Sequence, residues 1–290
     1  MTTLPAILVI GATGTTGSRV VSQLLAAGHP VKAASRRTGR RQDAAESVVF
    51  DWNDPATFDQ ALDGVDRVYV IPPLGSREPA AVMLPFLRLG RAAGVRRTVL
   101  LSSSAIPCGG PATGQVHQAL PDLFDEWAVL RPSWFMQNFT GDHLHARSIS
   151  EHGTLLTATG DGRVGFVDAD DIAAVAVHAL TAAQAPNTDL VITGPQALSY
   201  GDIAAVVTEV TGTSVTHRQL SYEQMRDRLA TDMPPDFAAM LAGMDRAIAE
   251  GSEDRTTDAV LRLTGRPPRS FRAFTERELG RMQGVRQSFP

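Results

Sequence analysis

Short apolar runs alternate with stretches whose apolar residues recur at helical spacing along the first two thirds of the chain. The runs predict strands at residues 7–10, 31–34, 47–50, 67–71, 98–102, 127–130 and 190–193. Helical patterns lie between them, at residues 17–27, 55–62, 82–93, 115–124 and 171–182. Strands joined by helical crossovers predict an α/β fold, a doubly wound parallel sheet covered on both faces. Ligands of such sheets bind at the carboxyl ends of the strands.

The pattern changes after about residue 195, where we predict a smaller, mostly helical region. A helix at 200–210 and a short strand at 214–219 precede apolar residues at helical spacing between positions 237 and 248. With residues 222–229 and a turn at Pro234-Pro235, this spacing predicts a helical hairpin. Core packing is the simpler interpretation of the hairpin, and a lid over a substrate cleft is the alternative. The lid is favoured by four methionines that suit a bulky apolar ligand: Met225, Met233, Met240 and Met244.

The segment 7–17 carries the most specific chemistry. An apolar run leads into the loop GATGTTG, whose glycines are three residues apart, and a helical pattern follows. Gly11 allows a tight turn, Gly14 lets the backbone approach a pyrophosphate, and Gly17 lets the helix pack close to the strand. Backbone N–H groups at the helix start then face the phosphates. We therefore predict a Rossmann-type site for a dinucleotide, with these loop residues as its contacts: Gly11, Thr13, Gly14, Thr15, Thr16 and Gly17.

Basic residues after the second predicted strand indicate which dinucleotide binds. An acidic residue at this point accepts from the ribose 2′-hydroxyl and selects NAD, but this chain has Ser35, Arg36 and Arg37, followed by Arg40 and Arg41. Guanidinium groups suit a 2′-phosphate through charge-assisted, often bidentate hydrogen bonds. We predict NADPH/NADP+ as the cofactor, with Arg36 as the first contact and Ser35 beside it. A solvated basic loop is the alternative.

Two other strand ends supply candidate cofactor contacts. Asp51 and Trp52 follow the third predicted strand and are placed to meet the adenine edge. Pro72 and Pro73 follow the fourth and could line the adenosine or ribose side. Both predictions rest on position in the sheet, and each pair could equally serve the conformation of its loop.

Composition narrows the compartment and the partners. The chain has 290 residues, of which 43% are hydrophobic, so one large domain with an appendage is expected. We predict an NADP(H)-binding domain at 1–195 and a mainly substrate-binding and lid region at 196–290, with an approximate boundary that the chain can cross. A net charge of −4 favours neither nucleic acid nor membrane as a partner. With Cys108 as the only cysteine and no run of transmembrane length, we predict a cytoplasmic protein of unspecified oligomeric state acting on a small molecule.

Several motifs resemble those of a known family. The glycine loop, Arg36 and the run SSS at 102–104 resemble the short-chain dehydrogenase/reductase superfamily. The segments LRPSWFMQN at 130–138, VDADDIA at 167–173 and LTGRPP at 263–268 resemble its atypical, NmrA-like branch, which includes bacterial NAD(P)H-dependent reductases. The resemblance covers nearly the whole chain and implies a Rossmann-type fold with nicotinamide binding. The cofactor contacts added on this basis are Ser102 and Pro132.

The chain departs from that superfamily at its usual proton relay. The superfamily usually carries Tyr-x-x-x-Lys, in which the tyrosine is the general acid and the lysine lowers its pKa. In this chain Lys32 is the only lysine, and none of the three tyrosines lies between the fifth and sixth predicted strands. The family's usual spacing places His117 at the tyrosine position and Pro121 at the lysine position. The standard relay is therefore absent.

Three functions fit this departure. We place first an NADPH-dependent ketoreductase of a bulky, partly aromatic small molecule in specialised, antibiotic-type metabolism. Ser103 or Ser104 would hydrogen-bond the carbonyl oxygen, and His117, water or the substrate would supply the proton; an exposed helical histidine is the other interpretation of His117. The second function is a quinone or imine reductase, whose acceptor needs little acid help. The third is a non-catalytic NADP(H)-binding redox sensor that acts on a protein partner.

Two clusters of ionisable residues receive structural interpretations. His143, His145 and His152 have no carboxylate or cysteine at ligand spacing, so they predict a polar helix face and no metal site. Asp168 and the acids two and three residues later precede an apolar helix. They predict an N-cap and acids that complement the helix dipole.

Overall fold

The computed structural model describes residues 5–36, 45–76 and 78–279. Its strands are β1 Ala6–Ile10, β2 Val31–Ser35, β3 Glu46–Val49, β4 Val65–Val70, β5 Arg97–Leu101, β6 Glu126–Pro132, β7 Thr154–Thr157, β8 Arg163–Val164, β9 Thr188–Ile192, β10 Leu198–Ser199 and β11 Thr216–Gln219. Its α-helices are α1 Gly17–Ala26, α2 Phe58–Leu62, α3 Ala80–Ala93, α4 Thr113–Leu123, α5 Leu144–His152, α6 Ala169–Thr181, α7 Tyr200–Thr211, α8 Tyr222–Leu229, α9 Pro235–Ala249, α10 Ala259–Thr264 and α11 Phe271–Glu278. Two short 3₁₀ helices add Pro55–Thr57 and Met136–Phe139.

The chain divides into two compact units, each assembled from separate segments. The first unit takes the described residues of Met1–Pro132, Ala169–Ile192 and Ala259–Arg266. The second takes those of Ser133–Asp168, Thr193–Asp258 and Pro267–Pro290. This division differs from a single boundary near residue 195, because residues 133–168 belong to the second unit and residues 259–266 return to the first.

The first unit contains a seven-stranded sheet with the order β3-β2-β1-β4-β5-β6-β9. Every neighbouring pair in this sheet is parallel. The predicted strands are confirmed, with ends displaced by one or two residues. The strand order reverses direction between β1 and β4, which is where a doubly wound sheet opens a crevice for its ligand.

Alternate residues of each strand supply the two faces of this sheet. Leu8 and Ile10 of β1 join a buried cluster with Phe58 of α2, Phe86 of α3 and Val116 of α4. Ile7 and Val9 are equally buried but lie outside that cluster, and α1 and α6 pack together in the same unit. The sheet is therefore covered on both faces, as its nearly continuous apolar strands require.

The second unit has smaller sheets and an aromatic core. β7 pairs with β11 in parallel, and β8 pairs with β10 antiparallel. The ring of Phe139 lies 5.3 Å from Phe166 and 5.2 Å from Phe271, with near-perpendicular planes. The predicted hairpin is confirmed, since α8 and α9 pack together and bury Ala238 and Ala242. No helix within the described ranges is long and apolar enough to span a membrane.

Candidate functional site

The glycine loop between β1 and α1 forms a tight cradle. Gly11 has φ +70°, a left-handed conformation that favours glycine. A Cβ atom on Gly17 would lie 2.8 Å from the carbonyl carbon of Gly11, and closer still to its oxygen. Thr13, Gly14 and Thr15 are exposed, whereas Thr16 and Gly17 are buried. The loop therefore presents exposed backbone at the first turn of α1, where an anion is stabilised.

Side chains of α1 hold this loop in place. Ser18 Oγ donates to the Gly14 carbonyl at 2.8 Å. Arg19 Nη1 donates to the Thr15 carbonyl at 2.7 Å, and its Nε donates to Asp170 at the same distance. Asp170 lies in the first turn of α6, as predicted for an acid that complements the helix dipole. It has the additional task of fixing Arg19, which the sequence pattern did not single out.

Arg36 stands directly after β2, at the carboxyl end of the sheet, and is exposed. Ser35 ends the strand and accepts a hydrogen bond on its carbonyl from the Phe50 amide at 3.0 Å. Arg37, Arg40 and Arg41 lie outside the described residues. The contact of Ser35, Arg36 and Arg37 with a 2′-phosphate remains a prediction, and the position of Arg36 suits it.

The structure gives Asp51 and Trp52 local roles. Asp51 Oδ1 accepts from the Asn53 amide at 2.9 Å, which shapes the turn after β3. Trp52 is only 8% exposed and packs edge-on against Phe50 at 4.9 Å. Its Nε1 donates to the carbonyl of Ile71 at 3.1 Å, so Trp52 joins the end of β3 to the residue after β4. The adenine contact predicted for both residues is untested, and what the structure shows is loop conformation and core packing.

Ile71 accepts this hydrogen bond from Trp52 and also packs closely against the glycine loop. A Cβ atom added to Gly11 would lie only 3.1 Å from Ile71 Cδ1. Pro72 and Pro73 follow Ile71 and are half-buried, at the carboxyl end of β4. Pro132 ends β6 and is buried. All three prolines lie at the edge of the sheet where they were predicted, and their contact with a cofactor remains a prediction.

The serines after β5 are held by hydrogen bonds. Ser102 Oγ lies 2.8 Å from the hydroxyl of Thr113 at the start of α4, a partner that the sequence pattern did not reveal. Ser103 Oγ accepts from the Ala105 amide at 3.3 Å. Ser104 is buried, and its amide donates to the Pro132 carbonyl at 2.9 Å. Ser103 is thus the more accessible of the two predicted catalytic serines.

Arg131 fixes the same segment from the neighbouring strand. Its Nη2 donates to the Ser104 carbonyl at 3.0 Å and its Nε to the Ser103 carbonyl at 3.4 Å. Its Nη1 donates to Asp189 of β9 at 2.6 Å. Arg131 therefore links the segment after β5 to β6 and β9, and the sequence identified it only as part of the LRPS motif.

His117 is buried on α4, with 5% of its surface exposed. The interpretation as an exposed helical histidine is therefore wrong, because this face of α4 packs against the sheet. The ring lies 6.3 Å from that of Trp127, and Nδ1 has no hydrogen-bond partner among the described residues. Burial is the main cause that lowers the pKa of His117. The ring is neutral at pH 7, which makes it a weak proton donor.

The second unit contains a cavity of about 270 Å³. Helices α5, α8 and α9 supply much of its wall, so the predicted hairpin both packs a core and lines a pocket. Met225 and Met244 line the cavity, whereas Met240 is 50% exposed. The residues that line it are Trp134, Asn138, His143, Leu144, His145, Ser148, Leu156, Tyr200, Met225, Arg228, Leu229, Thr231, Asp232, Leu241, Met244 and Asp245.

The polar helix face predicted for the histidines is wrong for His145. His145 stacks on Phe139 at 5.6 Å and lies 5.4 Å from the ring of Tyr200. Desolvation lowers the pKa of His145 to about 3. His143 caps α5 by accepting the His145 amide on Nδ1 at 3.2 Å. His143 and His152 are both exposed, as a polar face requires, whereas α5 turns His145 towards the aromatic wall.

Asp245 is an acidic residue of the cavity that sequence reasoning missed. It projects from α9, and its Oδ2 accepts from the Ala158 amide at 2.8 Å. Desolvation raises the pKa of Asp245 to about 6. One aspartate within an amphipathic helical stretch gives no signal in the sequence, because only the fold shows that it faces a cavity.

Comparison with known proteins agrees with this architecture. The profile of a family described as NAD(P)H-binding matches residues 11–183. The chain belongs to this NAD(P)H-binding family. The nicotinamide-binding family implied by the resemblance to the atypical, NmrA-like short-chain dehydrogenases/reductases is confirmed, and the family's cofactor fits the observed cradle, where a Cβ on Gly17 would collide and the loop backbone is exposed.

Three similar proteins place this NAD(P)H-binding chain among oxidoreductases. Uncharacterized oxidoreductase YesF of Bacillus subtilis (strain 168) is 42% identical over 269 residues, covering 92% of this chain and 93% of that protein. Festuclavine synthase II of Penicillium roqueforti (strain FM164) is 38% identical, covering 94% and 98%. The NADPH-dependent quinone oxidoreductase of Escherichia coli, solved with NADPH, superposes with a TM-score of 0.80 at 24% identity, covering 93% and 99%. The chain is an NAD(P)H-dependent oxidoreductase.

Proposed function

We propose that this protein is an NADPH-dependent reductase of a bulky, conjugated small molecule that accepts hydride without a proton from the protein. The observation that carries the proposal is the state of His117, which the family's usual spacing places at the tyrosine position. It is buried, and its pKa is lowered. A neutral imidazole cannot deliver a proton as a tyrosine–lysine pair does, so the acceptor must need little acid help.

This reasoning places the quinone or imine reductase ahead of the ketoreductase. Hydride transfer to a ketone leaves an alkoxide that needs a proton at once, and only the hydroxyl groups of Ser103 and Ser104 are predicted to hydrogen-bond that oxygen. A quinone spreads its negative charge over the ring system and takes up its proton from water. This order of the two functions is supported by the structural similarity to a protein described as an NADPH-dependent quinone oxidoreductase. Ketone reduction, antibiotic-type metabolism and a cytoplasmic location remain predictions.

The roles of the residues follow from the two units. When bound, the nicotinamide cofactor supplies the hydride. The glycine loop holds the pyrophosphate of the cofactor, and Arg36 selects its 2′-phosphate. The segment 102–104 lies beside the cofactor at the carboxyl ends of the strands. The cavity in the second unit binds the acceptor. Its volume of about 270 Å³ is near the lower end of small-molecule sites, which span roughly 300–1,000 Å³.

The test is NADPH oxidation, followed by nicotinamide absorbance, against a naphthoquinone, a cyclic iminium ion and an aryl ketone. We expect turnover of the first two to exceed that of the ketone. Faster reduction of the ketone, with a loss of activity in Ser103→Ala or His117→Ala, would restore the ketoreductase. Tight NADPH binding without turnover of any acceptor would favour the redox sensor.

A further inference from the structure

The cavity of the second unit contains a partly buried carboxylate, Asp245, that lies among apolar and aromatic side chains. Asp245 shares the cavity wall with Trp134 and Tyr200 and with the aliphatic side chains of Leu241 and Met244. Its one hydrogen bond among the described residues is the one that Oδ2 accepts from the Ala158 amide. A desolvated carboxylate that lacks an opposite charge is unfavourable unless another group pairs with it.

No arginine or lysine of the described ranges forms an ion pair with Asp245. The guanidinium of its neighbour Arg246 lies over the ring of Tyr222, at 4.8 Å. Arg228 and Asp232 also line the cavity, but both are exposed and their charges are opposite. The charge of Asp245 is therefore left unbalanced within the pocket.

The remaining ionisable groups of this pocket are neutral near pH 7. Burial lowers the pKa of His143 and of His145. Burial also lowers the pKa of His217 on the neighbouring strand β11, and raises that of the Tyr200 hydroxyl. Asp245 is consequently the group whose charge a ligand inside the cavity would meet.

We propose that Asp245 is the specificity-determining counter-ion for a cationic, aromatic ligand, with the face of Trp134 binding the same positive charge. A carboxylate and aromatic faces together recognise alkylammonium and iminium groups through an ion pair and cation–π attraction. A negatively charged ligand or an uncharged aromatic molecule would leave the carboxylate of Asp245 without an opposite charge. The ligand chemistry assigned to the pocket is therefore a ring system that carries a positive nitrogen.

This inference rests on the proposed function for its catalytic meaning. An iminium ion accepts a hydride at carbon and becomes a neutral amine while NADPH becomes NADP+, so the reaction balances without any proton. That balance matches a site whose family proton relay is absent. The loss of positive charge also weakens the attraction of the product to Asp245, which favours its release.

The test is direct binding of two matched probes, measured by isothermal titration calorimetry. N,N-Dimethyltetrahydroisoquinolinium has a permanent positive charge and cannot be reduced at nitrogen, and dimethyltetralin is its neutral carbon isostere. We expect the wild type at pH 8 to bind the cation at least about 10-fold more tightly. In Asp245→Asn, which keeps the size and the acceptor for Ala158, we expect this preference to fall by about 10- to 100-fold.

The matched control is Asp236→Asn, which removes a carboxylate from the first turn of the same helix but outside the cavity. We expect this variant to keep the preference for the cation. Cation binding by the wild type should also weaken as the pH falls from 8 to 5, because Asp245 becomes protonated, whereas the affinity of Asp245→Asn should stay constant.

Equal affinity for the two probes, binding of neither, or an unchanged preference in Asp245→Asn would overturn the inference. A separate assay, the reduction of a neutral naphthoquinone, distinguishes failure of the proposed reductase function from failure of the proposed role of Asp245. If the wild type reduces the quinone but does not prefer the cation, the inference fails and the reductase stands. If the cation binds through Asp245 but no acceptor is reduced, the reductase fails and the binding site stands.

Discussion

The carbonyl group of Gly11 occupies the space that a side chain on Gly17 would need. A Cβ there would lie 2.8 Å from the Gly11 carbonyl carbon. The first turn of α1 consequently approaches the end of β1 as closely as backbone atoms permit. This contact fixes the position of the loop backbone to which a pyrophosphate would bind.

Replacing Gly17 by Ala should destabilise the protein by about 1–3 kcal/mol and abolish NADPH binding, because backbone must move to admit the methyl group. The measurements are chemical denaturation and calorimetric titration with NADPH. Gly243→Ala is the matched control, since it lies in α9 with nothing within 4 Å of the added atom. It should stabilise the helix by up to about 1 kcal/mol. NADPH affinity that survives in Gly17→Ala would contradict the assignment of the loop.

Replacing Arg36 by Ala should raise the KM for NADPH by about 10- to 100-fold and leave the KM for NADH nearly unchanged. The reason is that a guanidinium can form charge-assisted hydrogen bonds with the 2′-phosphate, which NADH lacks. Steady-state kinetics with both cofactors provides the measurement, and Arg91→Ala on the exposed surface of α3 is the control. An equal effect on the two cofactors would remove Arg36 from the 2′-phosphate site.

Replacing His117 by Asn should change turnover of a quinone or iminium acceptor by less than about 10-fold, well below the 10²–10⁴ expected for loss of a general acid. The lowered pKa of His117 also means that its neutral form is favoured by folding. The wild type should therefore lose stability as the pH falls below about 6.5, and His117→Asn should lose less. Denaturation at pH 5 and 8 tests the second point, and a large kcat loss in the variant would contradict the first.

Replacing Arg131 by Met should destabilise the protein by about 1–3 kcal/mol, because two carbonyls and Asp189 lose a charged donor. We also expect a lower kcat, since the segment 102–104 would no longer be held. The control is Arg91→Met, whose ion pair with Asp125 is exposed and should contribute only about 0–1 kcal/mol. Thermal denaturation should show a larger loss of stability in Arg131→Met than in Arg91→Met. Equal losses would show that Arg131 stabilises the protein no more than an exposed arginine does.

Replacing Asp245 by Asn should increase stability at pH 7 but have little effect near pH 4. The folded-state pKa of Asp245, about 6, lies above its ordinary value of 3.8. The wild type suffers no penalty from Asp245 below pH 3.8, where this carboxyl is protonated in both the folded and the unfolded state. It loses stability as the pH rises from 3.8 through 6, because the unfolded state releases this proton more readily. The stability difference between variant and wild type should therefore grow over this interval to on the order of 2–3 kcal/mol. A difference that is independent of pH would contradict the burial of this carboxylate.

Sequence periodicity by itself determined the sheet of the first unit. Strands and helices alternate with clear periods, and parallel strands of this kind need helices on both faces, so strand positions and fold class follow from local pattern. The glycine loop was equally predictable, because the conformation of Gly11 and the close approach at Gly17 are properties of the backbone that only glycine satisfies. Arg36 could be placed because it directly follows a strand.

Tertiary structure alone decided where individual side chains point. Trp52 lies at a strand end that suits adenine, but its ring packs among Phe50 and Phe86. One interpretation placed His117 on an exposed helix face, but α4 turns it towards the sheet. The composition of the second unit and the cavity around Asp245 depend on segments far apart in the chain. Such contacts have no local periodicity, since they arise from which helix faces meet when the separate segments pack together.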